Sequence, residues 1–142
     1  MKADAGLSLE FTLHGADFEL AGAASSKIKR ILQQVGVKSD VIRRIAISSY
    51  EAEMNVIIHA YHGEMRVSIY PNRTEITIED EGPGIPDIKL AMQEGYSTAS
   101  DHIRELGFGA GMGLPNIARC CDAFEITSEV GKGTRIYMMI LH

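Results

Sequence analysis

A run of glycines late in the chain constrains the fold more than any other feature of the sequence. Glycine alternates with small or apolar residues from 107 to 113, and Leu114-Pro115 closes the run. Glycine accepts positive φ and lets a ligand approach the bare backbone, and proline suits the first turn of a helix. The run therefore predicts a loop feeding a helix over residues 116–121, a favourable place for phosphate. A flexible surface loop would have the same composition.

The spacing of these glycines excludes the commonest phosphate-binding motifs. A P-loop requires a lysine after its last glycine, and no lysine follows here. The dinucleotide-binding pattern G-x-G-x-x-G fails because Met112 occupies the position of its third glycine. The His-Arg-Asp and Asp-Phe-Gly motifs of the protein-kinase fold do not occur in the sequence. The glycine run therefore needs partner residues from elsewhere in the chain.

The length and the net charge of the chain limit the classes of protein to which it can belong. A chain of 142 residues predicts a single domain spanning residues 1–142. A net charge of −5 disfavours nucleic acid and anionic membranes as direct partners. No membrane-length apolar run and no secretory signal are visible, so we expect a cytoplasmic location. The neighbouring Cys120 and Cys121 form no disulfide framework, which is typical of a reducing compartment.

Hydrophobic periodicity predicts the helices. Apolar residues recur at three- and four-residue steps over residues 18–35, with Gly36 as the C-cap. A second helix runs from about Val41 to His59 or Tyr61, and Ser39 or Asp40 is its expected N-cap. Asp87 is expected to cap a short helix over residues 88–93.

Period-two alternation predicts the strands, beginning with residues 7–13. Two hairpins are expected from residues 65–79 and 123–141. The resulting order, β-α-α-β-β-α-loop-α-β-β, predicts an α+β fold. We expect a two-layer α/β sandwich whose mixed, mostly antiparallel sheet carries helices on one face.

Two further polar groups accompany the glycine run. Glu51 and Asn55 lie four residues apart on the second helix and share a mostly apolar face. A carboxylate and an amide are costly to bury there unless something pairs with them, although a paired position at the sheet rim would suffice. Residues 80–85 then read Asp-Glu-Gly-Pro-Gly-Ile at the end of a strand. Asp80 can accept a hydrogen bond from the amine of a ligand. An ordinary turn between a strand and a helix would have the same sequence pattern.

Taken in order, these stretches resemble a known family. Glu-x-x-x-Asn, Asp-x-Gly-x-Gly-Ile and Gly-x-Gly-x-Gly-Leu match the Bergerat-type ATP-binding fold of gyrase, Hsp90, histidine kinases and MutL. The resemblance runs from about Leu7 to Leu141, and Gly-Lys-Gly-Thr at 131–134 matches the last family box. The length of the chain looks like that of the stand-alone anti-sigma factors and switch serine/threonine kinases of bacterial partner-switching systems. Residues 94–98 and the Gly-Leu-Pro ending of the glycine run look most like the switch-kinase branch.

The resemblance implies a role for each matching residue. Glu51 would be the general base, and Asn55 would hold Mg²⁺. Asp80 would accept from the adenine amine of ATP, supported by Thr134 directly or through water. The other implied nucleotide-binding positions are Gly82, Gly84 and Ile85 beside the adenine, and Gly109, Gly111, Met112, Gly113 and Leu114 around the phosphates.

The segment before the glycines would form an ATP lid over residues 97–106. Within it Arg104 could neutralise the γ-phosphate, and a solvated surface arginine is an equal alternative. Glu53 does not share the face of Glu51 and Asn55, so it receives no catalytic role.

The resemblance also implies partners. Proteins of this kind phosphorylate a serine or threonine of a small STAS-domain antagonist, and some hold a sigma factor. Many form homodimers, although no self-complementary stripe in this sequence requires one. Two alternatives stay open: an ATP-switched anti-sigma binding module without significant kinase activity, and a detached ATPase subunit of a two-component histidine kinase.

Overall fold

The computed structural model describes residues 6–93 and 113–142. The strands are β1 (Leu7–His14), β2 (His62–Ile69), β3 (Arg73–Glu81), β4 (Ala123–Glu129) and β5 (Gly133–Leu141). The helices are α1 (Ala23–Gln34), α2 (Ser39–His59), the one-turn α3 (Ile88–Ala91) and α4 (Gly113–Cys120), with a 3₁₀ turn at Phe18–Leu20. This order confirms the predicted succession of elements over the described ranges.

The five strands form one sheet in the order β1-β2-β3-β5-β4, and all four pairings are antiparallel. The α+β prediction is therefore confirmed, and the described sheet contains no parallel pair. Alternation along β3 turns Ile76 and Ile78 into the core and Glu75 and Thr77 outward. The helices cover the inner face, where Ile28 of α1 is fully buried.

The helix predicted over residues 18–35 is wrong at its start. The chain makes a 3₁₀ turn at Phe18–Leu20, and α1 begins only at Ala23. Gly22 lies between them with φ +89°, a left-handed conformation that glycine adopts without steric cost. Apolar spacing continues through this break, so periodicity alone could not detect it.

The break is held by a buried carboxylate. Glu53 of α2 is 1% exposed, and Oε2 accepts hydrogen bonds from the backbone N–H groups of Gly22 (3.0 Å) and Ala24 (3.3 Å). Its other oxygen, Oε1, accepts from the N–H of Ser25 at 3.1 Å. A carboxylate at a helix N-terminus satisfies orphan donors and opposes the positive end of the helix dipole. Glu53 is thus a structural residue, a role that the sequence analysis did not predict.

Two of the other predicted capping residues are confirmed, and one prediction is wrong. Gly36 follows α1 with φ +81°, as a C-terminal glycine should. Asp87 accepts a hydrogen bond from the N–H of Leu90 at 3.0 Å and so caps α3. The predicted capping of α2 by Ser39 or Asp40 is wrong, because the helix already begins at Ser39 and its N-cap is Lys38.

Cys120 and Cys121, at the end of α4, are free thiols. Burial raises the pKa of both, and that of Cys121 to about 12. Both thiols therefore stay protonated at neutral pH. No helix in the described ranges has the length and apolar character needed to cross a membrane.

Replacing Glu53 tests the junction between α1 and α2. Glu53→Gln keeps the side-chain shape but places an NH₂ group against backbone donors. We expect a loss of about 2–3 kcal/mol in the free energy of unfolding, measured by urea denaturation. Glu125→Gln, at an exposed position, should stay within about 0.5 kcal/mol of wild type. Equal stabilities for the two variants would contradict the structural role of Glu53.

Candidate active site

The candidate site lies where α2 and β3 end together. The N–H of Tyr61, just past α2, donates to the carbonyl of Glu81 at 2.8 Å. Gly82 follows β3, and a Cβ there would lie 2.9 Å from Cα of Ala60, so only glycine fits. The N–H of Gly82 donates to the carbonyl of Lys132 in the β4–β5 turn at 3.0 Å. Three segments distant in sequence thus meet at one end of the sheet.

Asp80 faces inward at this end of β3. Its Oδ1 accepts a hydrogen bond from the backbone N–H of Thr134 at 3.1 Å. Burial raises the pKa of Asp80, while this hydrogen bond and nearby His62 oppose the shift. No described residue hydrogen-bonds Oδ2 of Asp80. One oxygen of the carboxylate is therefore held in place, and the other can accept from a ligand.

The hydroxyl of Ser128 joins the two turns around Asp80. Its Oγ accepts from the N–H of Ile85 at 2.7 Å, donates to the carbonyl of Gly133 at 3.0 Å, and lies 2.9 Å from Oγ1 of Thr134. Sequence reasoning missed Ser128; its signal is a polar residue at an inward position of β4, opposite Thr134.

Backbone contacts explain two glycines near Asp80. Gly84 has φ +76°, and a Cβ there would overlap the carbonyl oxygen of Glu129. A Cβ on Gly133 would overlap the carbonyl oxygen of Asp80. These glycines let the turn after β3 and the start of β5 lie in direct backbone contact, which fixes the position of Asp80.

Glu51 and Asn55 form the second half of the site. A Cβ built on Gly113, the first residue of α4, would lie 3.4 Å from Oε2 of Glu51 and 3.6 Å from Oδ1 of Asn55. The structure therefore brings together three residues predicted from two motifs that lie far apart in the sequence. The end of the glycine run lies directly against the carboxylate and the amide.

Asn116 of α4 also belongs to this half, and sequence reasoning missed it. Arg119 Nη2 donates to Oδ1 of Asn116 at 3.0 Å, and the Asn116 side chain hydrogen-bonds Glu51. With Oδ1 occupied by Arg119, the amide NH₂ is the group that donates to Glu51. Burial raises the pKa of Glu51, and the hydrogen bond from Asn116 partly opposes that shift.

Two further predicted site residues, Leu114 and Ile85, pack against the hydrophobic core. Leu114 is buried in the core, and Ile85 is half-buried and packs against the core, so both help to anchor site segments. The predictions for Arg104, Gly109, Gly111 and Met112, and for the lid, lie outside the described residues.

The two halves of the site lie along the same helix. Nine residues of helical rise separate Glu51 from Ala60, about 13 Å, and Ala60 lies beside Gly82. A cleft of about 760 Å³ opens at the Asp80 end and includes Gly82, Ser128 and Thr134 in its lining. This volume is within the range of small-molecule sites. Glu51 and Asn55 lie outside that lining, so the cleft accounts for one half of the site.

Comparison with known proteins identifies the family. Residues 15–140 match the histidine kinase-like ATPase domain, and the chain therefore belongs to that family. This result confirms the resemblance seen in the sequence.

Within this family, the chain is similar to a serine/threonine kinase and to anti-sigma F factors. The chain is 31% identical over 118 residues to serine/threonine-protein kinase RsbT of Bacillus subtilis, covering 80% of this chain and 83% of the relative. It is 30% identical over 140 residues to an anti-sigma F factor of Clostridium beijerinckii, covering 94% and 92%. A second anti-sigma F factor, from Oceanobacillus iheyensis, is 33% identical over 117 residues, covering 78% and 77%.

A solved structure shares the fold. The crystal structure of the RsbU and RsbW domains of a Mycobacterium tuberculosis protein superposes with a TM-score of 0.63 at 15% identity. The match covers 95% of this chain and 32% of the longer one. At this identity the likeness shows the fold alone.

Ser128→Ala tests the link between the two turns. It removes the acceptor of the Ile85 N–H, which costs about 1–3 kcal/mol when buried. We expect the position of Asp80 to loosen and the Kd for ATP to rise about tenfold by calorimetry. Thr12→Ala, exposed on the edge strand β1 and outside the cleft lining, is the matched control. Unchanged ATP affinity in the Ser128 variant would contradict this role.

Proposed function

We propose that this chain binds ATP and transfers its γ-phosphate to a serine or threonine hydroxyl of a small STAS-domain partner protein. The observation that carries the proposal is the position of Glu51, a partly buried carboxylate of raised pKa beside Asn55 and the N-terminal residue of α4. The names of the relatives, a serine/threonine kinase and anti-sigma F factors, support it.

The adenine end of ATP would lie at Asp80. The Thr134 N–H holds one carboxylate oxygen, and the other faces an adenine amine. The backbone contacts of Gly84 and Gly133 keep this carboxylate in place before the ligand arrives, and preorganisation lowers the cost of binding. The phosphates would then extend along α2 towards Glu51, over a distance of about 13 Å.

The phosphate end has suitable donors for a metal ion. Asn55 Oδ1 would hold Mg²⁺ together with phosphate oxygens and water, since Mg²⁺ prefers few protein oxygen ligands. Mg²⁺, when bound, neutralises charge that develops on the phosphates. Gly113 leaves space in front of Asn55 that any side chain would fill. Arg104, Gly109, Gly111 and Met112 stay predictions for the same phosphates.

Glu51 would act as the base in the transfer. The acceptor hydroxyl oxygen forms a bond to the γ-phosphorus while the bond from that phosphorus to the bridging oxygen of ADP breaks. The hydroxyl proton passes to the Glu51 carboxylate, and ADP leaves. A carboxyl group with a raised pKa is better matched to proton transfer near neutral pH. Asn116 would orient this carboxylate without touching the reacting atoms.

A second candidate function is an ATP-switched anti-sigma module that holds a sigma factor. The anti-sigma F factor relatives favour it, and it is compatible with kinase activity. The detached histidine-kinase subunit is a third reading. The single-domain organisation, the cytoplasmic location and a homodimer also stay predictions.

Transfer from γ-labelled ATP with Mg²⁺ to STAS-domain proteins of the same source tests the proposal. Wild type should label a serine or threonine. Glu51→Gln should lower transfer at least about a hundredfold while ATP still binds, and Asp80→Asn should weaken ATP binding itself. Glu125→Gln is the control. ATP binding without transfer would favour the anti-sigma module, and acid-labile label on histidine would favour the third reading. Equal transfer by Glu51→Gln and wild type would remove Glu51 as the base.

The pH dependence of transfer tests the contact between Asn116 and Glu51. The base must be deprotonated, so the rate should rise with pH through the raised pKa of Glu51. Asn116→Ala removes the hydrogen bond that lowers this pKa, so the acidic limb of the pH–rate profile should move to higher pH. The plateau rate should change little, and Asn72→Ala, an exposed turn position, should leave the profile unchanged. A limb that stays in place or moves to lower pH would refute the contact.

A further inference from the structure

Charge is distributed unevenly between the helical layer and the rest of the chain. Residues 27–44 contain six of the fourteen lysine and arginine residues and one of the nineteen acidic residues. The remaining chain contains eight basic and eighteen acidic residues. A strongly acidic protein thus carries one compact basic segment, formed by α1 and the start of α2.

Five of these six cations are exposed, and their described surroundings contain no carboxylate partner. They are Lys27, Lys29, Arg30, Lys38 and Arg43, and we call them the basic face. The sixth, Arg44, pairs with Asp122 at 3.4 Å. The arginines on the outer face of the sheet differ from the basic face because they have carboxylate partners. Arg66 and Arg135 each lie within 4 Å of a glutamate. These two arginines of the sheet therefore form ion pairs within the chain, whereas the side chains of the basic face are exposed to solvent.

The basic face continues towards Glu51. Arg43, Ile47 and Tyr50 occur at steps of four and three residues and so share one stripe of α2. Ile47 is 38% exposed and Tyr50 is 37% exposed. Glu51 follows Tyr50 directly, and the ring of Tyr50 packs against Gly22, where a Cβ would lie 3.4 Å from it. A partner bound to the basic face would therefore also reach the edge of the candidate active site.

We propose that the basic face docks an acidic segment of the acceptor protein, with Ile47 and Tyr50 as the apolar part of the contact. The proposal rests on the proposed kinase function for the identity of the partner. Protein interfaces are enriched in tyrosine and arginine, and complementary charge chiefly raises the association rate and selects partners. A membrane fits less well because the apolar side of α1, including Ile28 and Leu32, is buried in the core. Duplex DNA is a longer polyanion that would extend past the basic face onto the remaining chain, which contains eight basic and eighteen acidic residues.

The first test uses an acidic probe and needs no kinase activity. A fluorescein-labelled decaglutamate peptide should bind wild type by anisotropy, and its Kd should rise at least about tenfold between 20 and 200 mM NaCl. Lys27→Glu/Arg30→Glu should weaken binding about tenfold or more. Arg66→Glu/Lys89→Glu changes the net charge equally on other surfaces and should bind within about twofold of wild type.

Three outcomes of this test would overturn the proposal: no binding by wild type, equal loss in both variants, or equal or tighter binding to phosphatidylserine vesicles or duplex DNA.

The second test measures steady-state transfer to the STAS-domain acceptor. Lys27→Glu/Arg30→Glu should raise KM for the acceptor about tenfold, with kcat and the Kd for ATP unchanged. The control pair should leave all three constants near wild type. Unchanged KM with normal transfer would refute the docking surface while the kinase function stands. Peptide binding without any transfer by wild type would instead refute the kinase function and leave the acidic docking surface standing.

Discussion

The buried carboxylate of Glu53 determines how the helical layer is assembled. Its three backbone hydrogen bonds hold the first turn of α1 against α2, and the basic face then points outward. An α-helix turns about 100° per residue, so Glu51, two positions earlier, lies on the opposite side of α2. One helix therefore carries a fully buried acid, Glu53, and a partly buried acid, Glu51, in different surroundings. Glu53 is saturated by fixed backbone donors, whereas Glu51 contacts a side-chain amide and the glycine that begins α4.

The register of β3 and β5 determines the other half of the site. Ile76 and Ile78 of β3 pair with Met138 and Ile136 of β5, and all four are buried. A slip of one residue would turn these side chains to the solvent face. Core packing therefore fixes the alignment that places the backbone N–H of Thr134 beside Asp80. The carboxylate is positioned by the hydrophobic core, even though its contacts are polar.

Much of this organisation could be predicted from local patterns. Alternation located the strands, and the order of the three motifs indicated that Glu51, Asn55 and Gly113 would meet. Ser128 and Asn116 could not be found in this way, because each owes its role to a partner distant in sequence. The break at Gly22 was missed for a related reason: apolar spacing continues through it, and the acid that stabilises it lies 31 residues later. Periodicity reports which face is buried and does not report what a buried polar group contacts.

The position of β1 at the sheet edge has a consequence for how the chain folds. Among the described strands it pairs with β2 alone, with Leu7 opposite Ile69 and His14 opposite His62. Because β1 precedes both helices and β2 in the chain, during synthesis it cannot pair until all three have left the ribosome. Closing such a long loop costs entropy before any contact is gained. The α1–α2 hairpin shortens the effective distance to be closed, so the helical pair that supports the site would also act as the folding template for the first strand.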